Sequence, residues 1–133
     1  MNAVNSPSYT LQLLVIACGG AFGCISRFVL AQSVHRFLPN HFPYGILLVN
    51  VLGCLLIGIL ATGFIERWQL NGIWRAGVLI GFLGGFTTFS SFSIDAINLL
   101  ENGASVAAGI YVICSVVLCL IATWVGVLLG RSV

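Results

Sequence analysis

Hydrophobic residues run in four long segments along the chain, separated by short polar stretches. The segments cover roughly residues 11–34, 44–64, 73–100 and 104–129, each about 20 residues or more, which is the length that an α-helix needs to cross a hydrocarbon core. Strands would be shorter, and a helix satisfies its own backbone hydrogen bonds inside lipid. The pattern therefore predicts an all-α integral membrane protein with four transmembrane helices.

The connections between these segments are short and carry residues that stop helices. HRFLPNHFP holds two prolines, whereas IERWQLNG and ENG are polar and end in glycine. Proline lacks the backbone donor that a helix interior uses, and glycine is common just after a helix ends. We therefore expect residues 1–133 to form a single four-helix transmembrane domain without a separate soluble lobe.

The third segment contains a polar run where it should lie deepest in the membrane. Residues 84–93 read GGFTTFSSFS, with five hydroxyl side chains and three phenylalanines around a double glycine. Each glycine weakens a helix by roughly 1 kcal/mol relative to alanine. We expect Gly84 and Gly85 to interrupt the third helix and to free the carbonyls of residues 84–87. Freed carbonyls at membrane depth line cavities or coordinate ions, and as hard oxygen ligands they suit a small cation.

The hydroxyls of this run have an ordinary and a functional interpretation. A single serine or threonine in a membrane helix commonly donates to the carbonyl four residues earlier. Five hydroxyls within seven residues, beside a double glycine, favour a polar site instead. On a helix Phe89 and Phe92 share one face, and Thr88 and Ser91 share an adjacent one. Aromatic edges carry partial positive charge, so rings and hydroxyls together can contact an anion without trapping it.

Two other spans offer polar partners to this run. Asn50 lies about two turns into the second span, where its amide supplies two donors. Tyr111, Ser115, Cys119 and Thr123 recur every four residues and so share one face of the fourth span. In both spans the alternative is a purely structural hydrogen bond between helices.

Composition agrees with a membrane protein and excludes several other classes. The chain is 59% hydrophobic and 6% charged, with a net charge of +2, whereas soluble domains carry about 25% charged residues. Cations are too sparse for a nucleic-acid surface. No plausible nucleophile–base pair or metal-ligand spacing is present, so we expect no enzyme activity. The five cysteines lie in apolar runs without a CxxC pair and are typical of small buried hydrophobes.

Arginines give a weak signal for orientation. With four spans, Arg67, Arg75 and Arg131 share one side of the membrane, while Arg36 lies on the other with Arg27 a few turns before it. So small a bias predicts insertion in both orientations. As a charge within the first span, Arg27 either attracts anions to a vestibule or extends to the lipid headgroups.

Glycines four residues apart on two spans allow helices to approach closely. They are Gly19 and Gly23 on the first span, and Gly77, Gly81 and Gly85 on the third. They serve either association between copies or packing within the chain. Since four helices enclose little interior, we expect a pathway through this protein to require a second copy.

Together these residues resemble the Fluc (CrcB) family of fluoride channels. The family's GGxTTFSTFS-like signature reads GGFTTFSSFS here, its GGxxGxxxR pattern reads GGAFGCISR and ends at Arg27, and its VN reads LLVNVLG and places Asn50. The resemblance covers essentially the whole chain after the first ten residues. The chain differs from the family's pattern at three positions. Ser91 stands where threonine is usual, Phe86 stands where leucine is usual, and Cys119 stands where a hydroxyl side chain is expected.

The resemblance implies an antiparallel, dual-topology homodimer in a bacterial inner membrane, with a broken third helix and two fluoride pathways. A structural sodium ion at the dyad would bind backbone carbonyls of Gly84 and Thr87 from both subunits, and Arg27 would lie in the vestibule. The fluoride pathway maps to Asn50, Thr88, Phe89, Ser90, Ser91, Phe92, Tyr111 and Ser115. The implied function is passive export of fluoride, which reduces its toxicity, while sodium is required but not transported.

Two other functions compete with this hypothesis. A small dual-topology multidrug exporter also has four spans, but it needs an embedded carboxylate in the first span, and that span has none. A non-transporting membrane assembly protein would conduct no ion at all.

Overall fold

The computed structural model of the protein describes residues 8–39, 41–63 and 72–132. The regular elements in these ranges are helices: α1 Tyr9–Phe37, α2 Tyr44–Thr62, α3 Gly72–Arg75, a π-helix Ala76–Leu83, α4 Gly84–Phe86, α5 Phe89–Glu101 and α6 Ser105–Ser132. The predicted loop that carries Glu66 and Arg67, and the end of the second predicted span at residue 64, lie outside the described residues.

Four helical stretches are long and apolar enough to cross a membrane. They are Tyr9–Phe37, Tyr44–Thr62, Gly72–Glu101 and Ser105–Ser132. Large apolar side chains are exposed on their outer faces, among them Phe22, Ile80, Ile113 and Trp124. Lipid tails are as apolar as these side chains, so a bilayer accommodates such a surface. The prediction of an all-helical, multi-pass membrane protein is confirmed.

The helix ends follow the stop signals of the sequence. The Ser8 side chain accepts a hydrogen bond from the Leu11 N–H and caps α1. At the other end of the bundle, Gly103 has a φ of 75°, a conformation that favours glycine. The Ala104 N–H then donates to the Leu99 carbonyl at 2.9 Å and closes the end of α5. The ENG link therefore turns the chain directly from α5 into α6.

The third span changes direction two residues after the position that the sequence predicts. Gly84 and Gly85 are helical and belong to α4, whereas Thr87 and Thr88 are extended, with ψ angles of 155° and 117°. The prediction that the helix is interrupted at the glycine pair is therefore wrong, because the interruption lies at Thr87 and Thr88. Gly85 instead packs against α1, where a Cβ would lie 2.6 Å from the Gly20 carbonyl oxygen.

Glycines bring two pairs of helices into close contact within the chain. On α1 and the π-helix, a Cβ at Gly81 would lie 3.2 Å from the Gly19 Cα. On α2 and α6, a Cβ at Gly126 would lie 3.0 Å from the Gly58 Cα, and one at Gly130 would lie 3.0 Å from the Thr62 Cβ. Later residues of α2 thus meet later residues of α6, so these helices run parallel. The small residues on α1 and the third span are used for packing within the chain.

Replacing Gly126 with alanine is expected to destabilise the protein. The added methyl would meet the Leu55 carbonyl oxygen and the Gly58 backbone, and overpacking of this kind costs about 1–3 kcal/mol. Gly109→Ala on the same helix is the matched control, since no described atom lies within 4 Å of its Cβ position. Thermal unfolding in detergent should separate the two variants. Equal melting temperatures would contradict the close α2–α6 contact.

Candidate functional site

Asn50 joins α2 to the extended segment of the third span. Its Oδ1 accepts a hydrogen bond from the Thr88 N–H at 2.8 Å, and its Nδ2 donates to the Thr88 carbonyl at 3.0 Å. In a continuous helix that N–H would donate to the Gly84 carbonyl instead. The amide therefore stabilises the bend, and its second Nδ2 hydrogen remains as a possible donor to a ligand.

The Thr88 side chain organises the hydroxyl run. Its Oγ1 accepts from the Ser91 N–H at 3.1 Å and so caps the start of α5. The same oxygen donates to Ser91 Oγ at 3.1 Å and lies 3.2 Å from Ser90 Oγ. Thr88 is 8% exposed, so this cluster is anchored in the protein interior. Three of the predicted pathway hydroxyls are thus brought together at one point.

The other two hydroxyls of the run follow the ordinary interpretation. Thr87 Oγ1 donates to the Leu83 carbonyl at 2.9 Å, and Ser93 Oγ donates to the Phe89 carbonyl at 2.9 Å. Each bond returns to the carbonyl four residues earlier. The side chains of Thr87 and Ser93 are therefore engaged with backbone carbonyls of the third span itself.

Three aromatic rings follow one another from the bend into the bundle. The Phe89 and Phe92 rings lie 5.3 Å apart, as their shared helix face predicts, and the Phe92 and Tyr111 rings also lie 5.3 Å apart. The Tyr111 side chain is completely buried, whereas Phe89 is 78% exposed. The aromatic row therefore begins at the outer surface of the chain and ends in its core.

A cavity of about 260 Å³ lies beside these rings. Its described lining is Asn50, Cys54, Thr87, Thr88, Phe89, Phe92, Ser115, Val116 and Cys119, and none of these residues is charged. Ser115 is 5% exposed, and its Oγ has no hydrogen-bond partner among the described residues. Buried hydroxyls normally have a partner, so an unpaired one on a residue that lines a cavity indicates a place for a polar ligand.

Tyr111 lies outside this lining and connects it to a second cavity. The Tyr111 hydroxyl donates to Asp95 Oδ2 at 3.5 Å. Asp95 lines a cavity of about 460 Å³ together with His35 and His41, to which the sequence assigned no site. The Tyr111 side chain thus contacts one residue of each cavity, Phe92 of the uncharged one and Asp95 of the one near the α1–α2 and α5–α6 connections.

Arg27 contacts the bend from α1. Its Nη1 donates to the Thr87 carbonyl at 3.5 Å, and the side chain is half-buried. This contact holds the guanidinium against the third span, so it does not support the interpretation that Arg27 extends to the lipid headgroups. The Thr87 carbonyl is turned out of the helix and already faces a positive charge.

The oxygens predicted to hold sodium fit the type of ligand that a small hard cation prefers. Thr87 is extended, and the Thr88 N–H bonds to Asn50 rather than to the Gly84 carbonyl. Gly84 is exposed, with no described atom within 4 Å of its Cβ position. No cluster of three or more histidine, cysteine or acidic ligands occurs among the described residues. A cation here would depend on carbonyls.

The sequence did not predict two residues of the uncharged cavity, Cys54 and Val116. Cys54 lies four residues after Asn50 and therefore on the same face of α2, so its spacing could have identified it. Cys119, which stands on the predicted polar face of the fourth span in place of a hydroxyl, does line the cavity. Ser90, Ser91 and Tyr111 are absent from the described lining and reach it only through Thr88 and Phe92.

A match to a protein-family model covers most of the chain. Residues 14–127 match the family described as CrcB-like protein, Camphor Resistance (CrcB). The chain belongs to the CrcB family. The match includes α2 and α5 entirely, and with them the Asn50–Thr88 pair and the aromatic row.

Curated relatives in the CrcB family carry the name fluoride-specific ion channel FluC. The chain is 43% identical to that of Geobacter sulfurreducens over 120 residues, which is 90% of this chain and 97% of the relative. It is 43% identical to that of Coxiella burnetii over 123 residues, 92% and 99% of the two chains. With the relative from Methylococcus capsulatus it shares 46% identity over 121 residues, but covers only 53% of that longer protein. These relatives are channels, which confirms that the CrcB chain is not an enzyme.

Proposed function

We propose that this CrcB protein is a fluoride channel that passively exports fluoride across a bacterial inner membrane. The observation that carries the proposal is the uncharged cavity in which Asn50, Thr88 and the unpaired Ser115 hydroxyl meet the rings of Phe89 and Phe92. The names of its CrcB relatives support fluoride as the ion.

The chemistry of the lining suits a small anion that holds water tightly. Moving a bare ion into a low-dielectric interior costs on the order of tens of kcal/mol, so the pathway must replace most of its hydration. Hydroxyls, an amide N–H and aromatic edges offer that replacement at short range. Because the described lining carries no formal charge, the anion can also leave, as conduction requires.

We assign the pathway to the residues that the sequence singled out. Asn50 and Ser115 donate to the anion, Phe89 and Phe92 present ring edges, and Thr88, Ser90 and Ser91 supply a connected hydroxyl cluster. Tyr111 continues the track past Phe92, and Arg27 attracts anions to a vestibule. The described hydrogen bonds of Thr88 with both serines support this continuity.

Transport would need no coupled energy source. Fluoride enters from acidic surroundings as neutral HF, which crosses lipid and dissociates in the cytoplasm. A membrane potential that is negative inside then drives the anion outward through the channel, at about 2.3 kcal/mol per charge for 100 mV.

The working unit we propose is an antiparallel, dual-topology homodimer of a single four-helix domain with a broken third helix. Phe89 belongs to the proposed pathway yet is 78% exposed in one chain. A second copy would cover this ring and close the pathway on its open side. The number of arginines differs little between the two sides of the membrane, which agrees with insertion in both orientations.

Sodium would bind between the two copies through the Gly84 and Thr87 carbonyls. When bound, the ion supplies a fixed positive field and links the subunits. Two carbonyls from each copy provide about four oxygens, a donor set of the kind that unwound membrane helices offer to sodium.

Fluoride efflux from liposomes containing purified protein tests the proposal. Efflux is expected down the fluoride gradient, and the same vesicles loaded with chloride should retain it. Proton-coupled movement of an organic cation would favour the multidrug exporter. The absence of any ion flux would favour an assembly protein, and equal chloride flux would contradict selectivity.

A further inference from the structure

Two thiols lie next to each other in the wall of the uncharged cavity. Cys54 of α2 and Cys119 of α6 both line it. The register between α2 and α6 also places Cys54 and Cys119 next to each other. A Cβ at Gly58 would meet the Thr123 carbonyl oxygen, and α2 and α6 run parallel. Four residues earlier on each helix stand Cys54 and Cys119.

Neither of these thiols is part of a disulfide among the described residues. Both are free cysteines of intermediate exposure, and they face a cavity whose remaining polar groups are an amide and hydroxyls. Hard cations prefer those oxygen ligands, whereas paired sulfur ligands select soft metal ions. A two-sulfur site is sufficient for a soft ion that accepts linear coordination.

We propose that Cys54 and Cys119 form a two-thiol binding site for one soft metal ion, of the Cu(I) and Hg(II) class. Two metal–sulfur bonds form, two S–H bonds break, and both protons pass to water, without any change of oxidation state. The bound ion fills part of the cavity beside Asn50 and Phe92. If the protein conducts fluoride as proposed above, a metal ion bound at this site blocks that conduction.

Thiol counting with Hg²⁺ tests the site without measuring transport. A variant with Cys18, Cys24 and Cys114 replaced by serine keeps only the two cavity thiols. One Hg²⁺ per chain should protect both thiols from a maleimide, as counted by mass spectrometry. Binding of two Hg²⁺ per chain, or one thiol still reactive at one equivalent, would overturn the proposal. A second variant with alanine at the same three positions gives the same count if serine disturbs folding.

Conduction in liposomes tests the consequence. Hg²⁺ should reduce fluoride efflux of the unaltered protein by about tenfold or more, because an ion in a narrow pathway occludes it. Cys54→Ala and Cys119→Ala should each lose this inhibition relative to their own untreated flux. Cys114→Ala is the matched control, since Cys114 is outside the described lining, and it should stay inhibited. Equal inhibition of all variants would reject the site.

Absence of fluoride flux before Hg²⁺ is added would reject the proposed channel function. The thiol count would still decide whether the metal site exists.

Discussion

Replacing Asn50 with aspartate is expected to abolish fluoride conduction. The amide donates to the Thr88 carbonyl at 3.0 Å and lines the uncharged cavity, so a carboxylate would place negative charge where the anion must pass. Two like charges 4 Å apart at an effective dielectric constant of 20 repel by about 4 kcal/mol, which corresponds to roughly a thousandfold fall in rate. Initial rates of efflux from liposomes measure the effect.

Two controls separate charge from structure in this experiment. Asn102→Asp makes the same chemical change at the exposed end of α5, where Asn102 lines the second cavity and not the uncharged one, and should conduct normally. Asn50→Ala removes the hydrogen bonds to Thr88 without adding charge, and should lose less flux than aspartate does. If alanine and aspartate were equally damaging, Asn50 would act by fixing the bend rather than by contacting the ion.

Removing sodium during purification and reconstitution is expected to cause a large loss of fluoride efflux and of the dimer. An ion that binds only the assembled state at a hundred times its Kd stabilises that state by about 2.7 kcal/mol, so its removal lowers the assembled fraction about a hundredfold relative to the dissociated one. N-methyl-D-glucamine, too large for four carbonyls, would replace sodium at constant ionic strength and chloride. Fluoride efflux and the dimer fraction after cross-linking should fall together.

Adding sodium back provides the control for this loss. Recovery of both the dimer and the flux would show that the protein had not been irreversibly damaged. Undiminished flux in sodium-free vesicles would exclude a required sodium ion at the Gly84 and Thr87 carbonyls. Loss of flux with an intact dimer would instead assign the ion to the pathway itself.

Spacing in the sequence was sufficient to predict the helices and much of the cavity. Hydrophobic length determined the four spans, because only helices of that length cross lipid with their backbones satisfied. Helical periodicity placed Phe89 beside Phe92, and the structure has these rings 5.3 Å apart. The polar run and Asn50 also meet as expected, because few other groups in so apolar a chain can satisfy their hydrogen bonds.

Tertiary contacts decided what local propensity could not. The glycine pair was the weakest point of the third helix by propensity, yet Gly85 packs on α1 and stays helical. The bend lies at Thr87 and Thr88 instead, because Asn50, 38 positions away in sequence from Thr88, bonds to both backbone groups of that residue.

The sequence by itself therefore determined the membrane class, the helices and the faces on which the polar groups lie, since these follow from chain composition and the period of the helix. Only the tertiary structure decided where the third span bends and that Cys54 and Cys119 stand side by side. Both depend on how α2 packs in parallel against α6 and on its contact with the third span. The register between helices is set by interlocking backbones and side chains that are distant in sequence, and no local pattern specifies it.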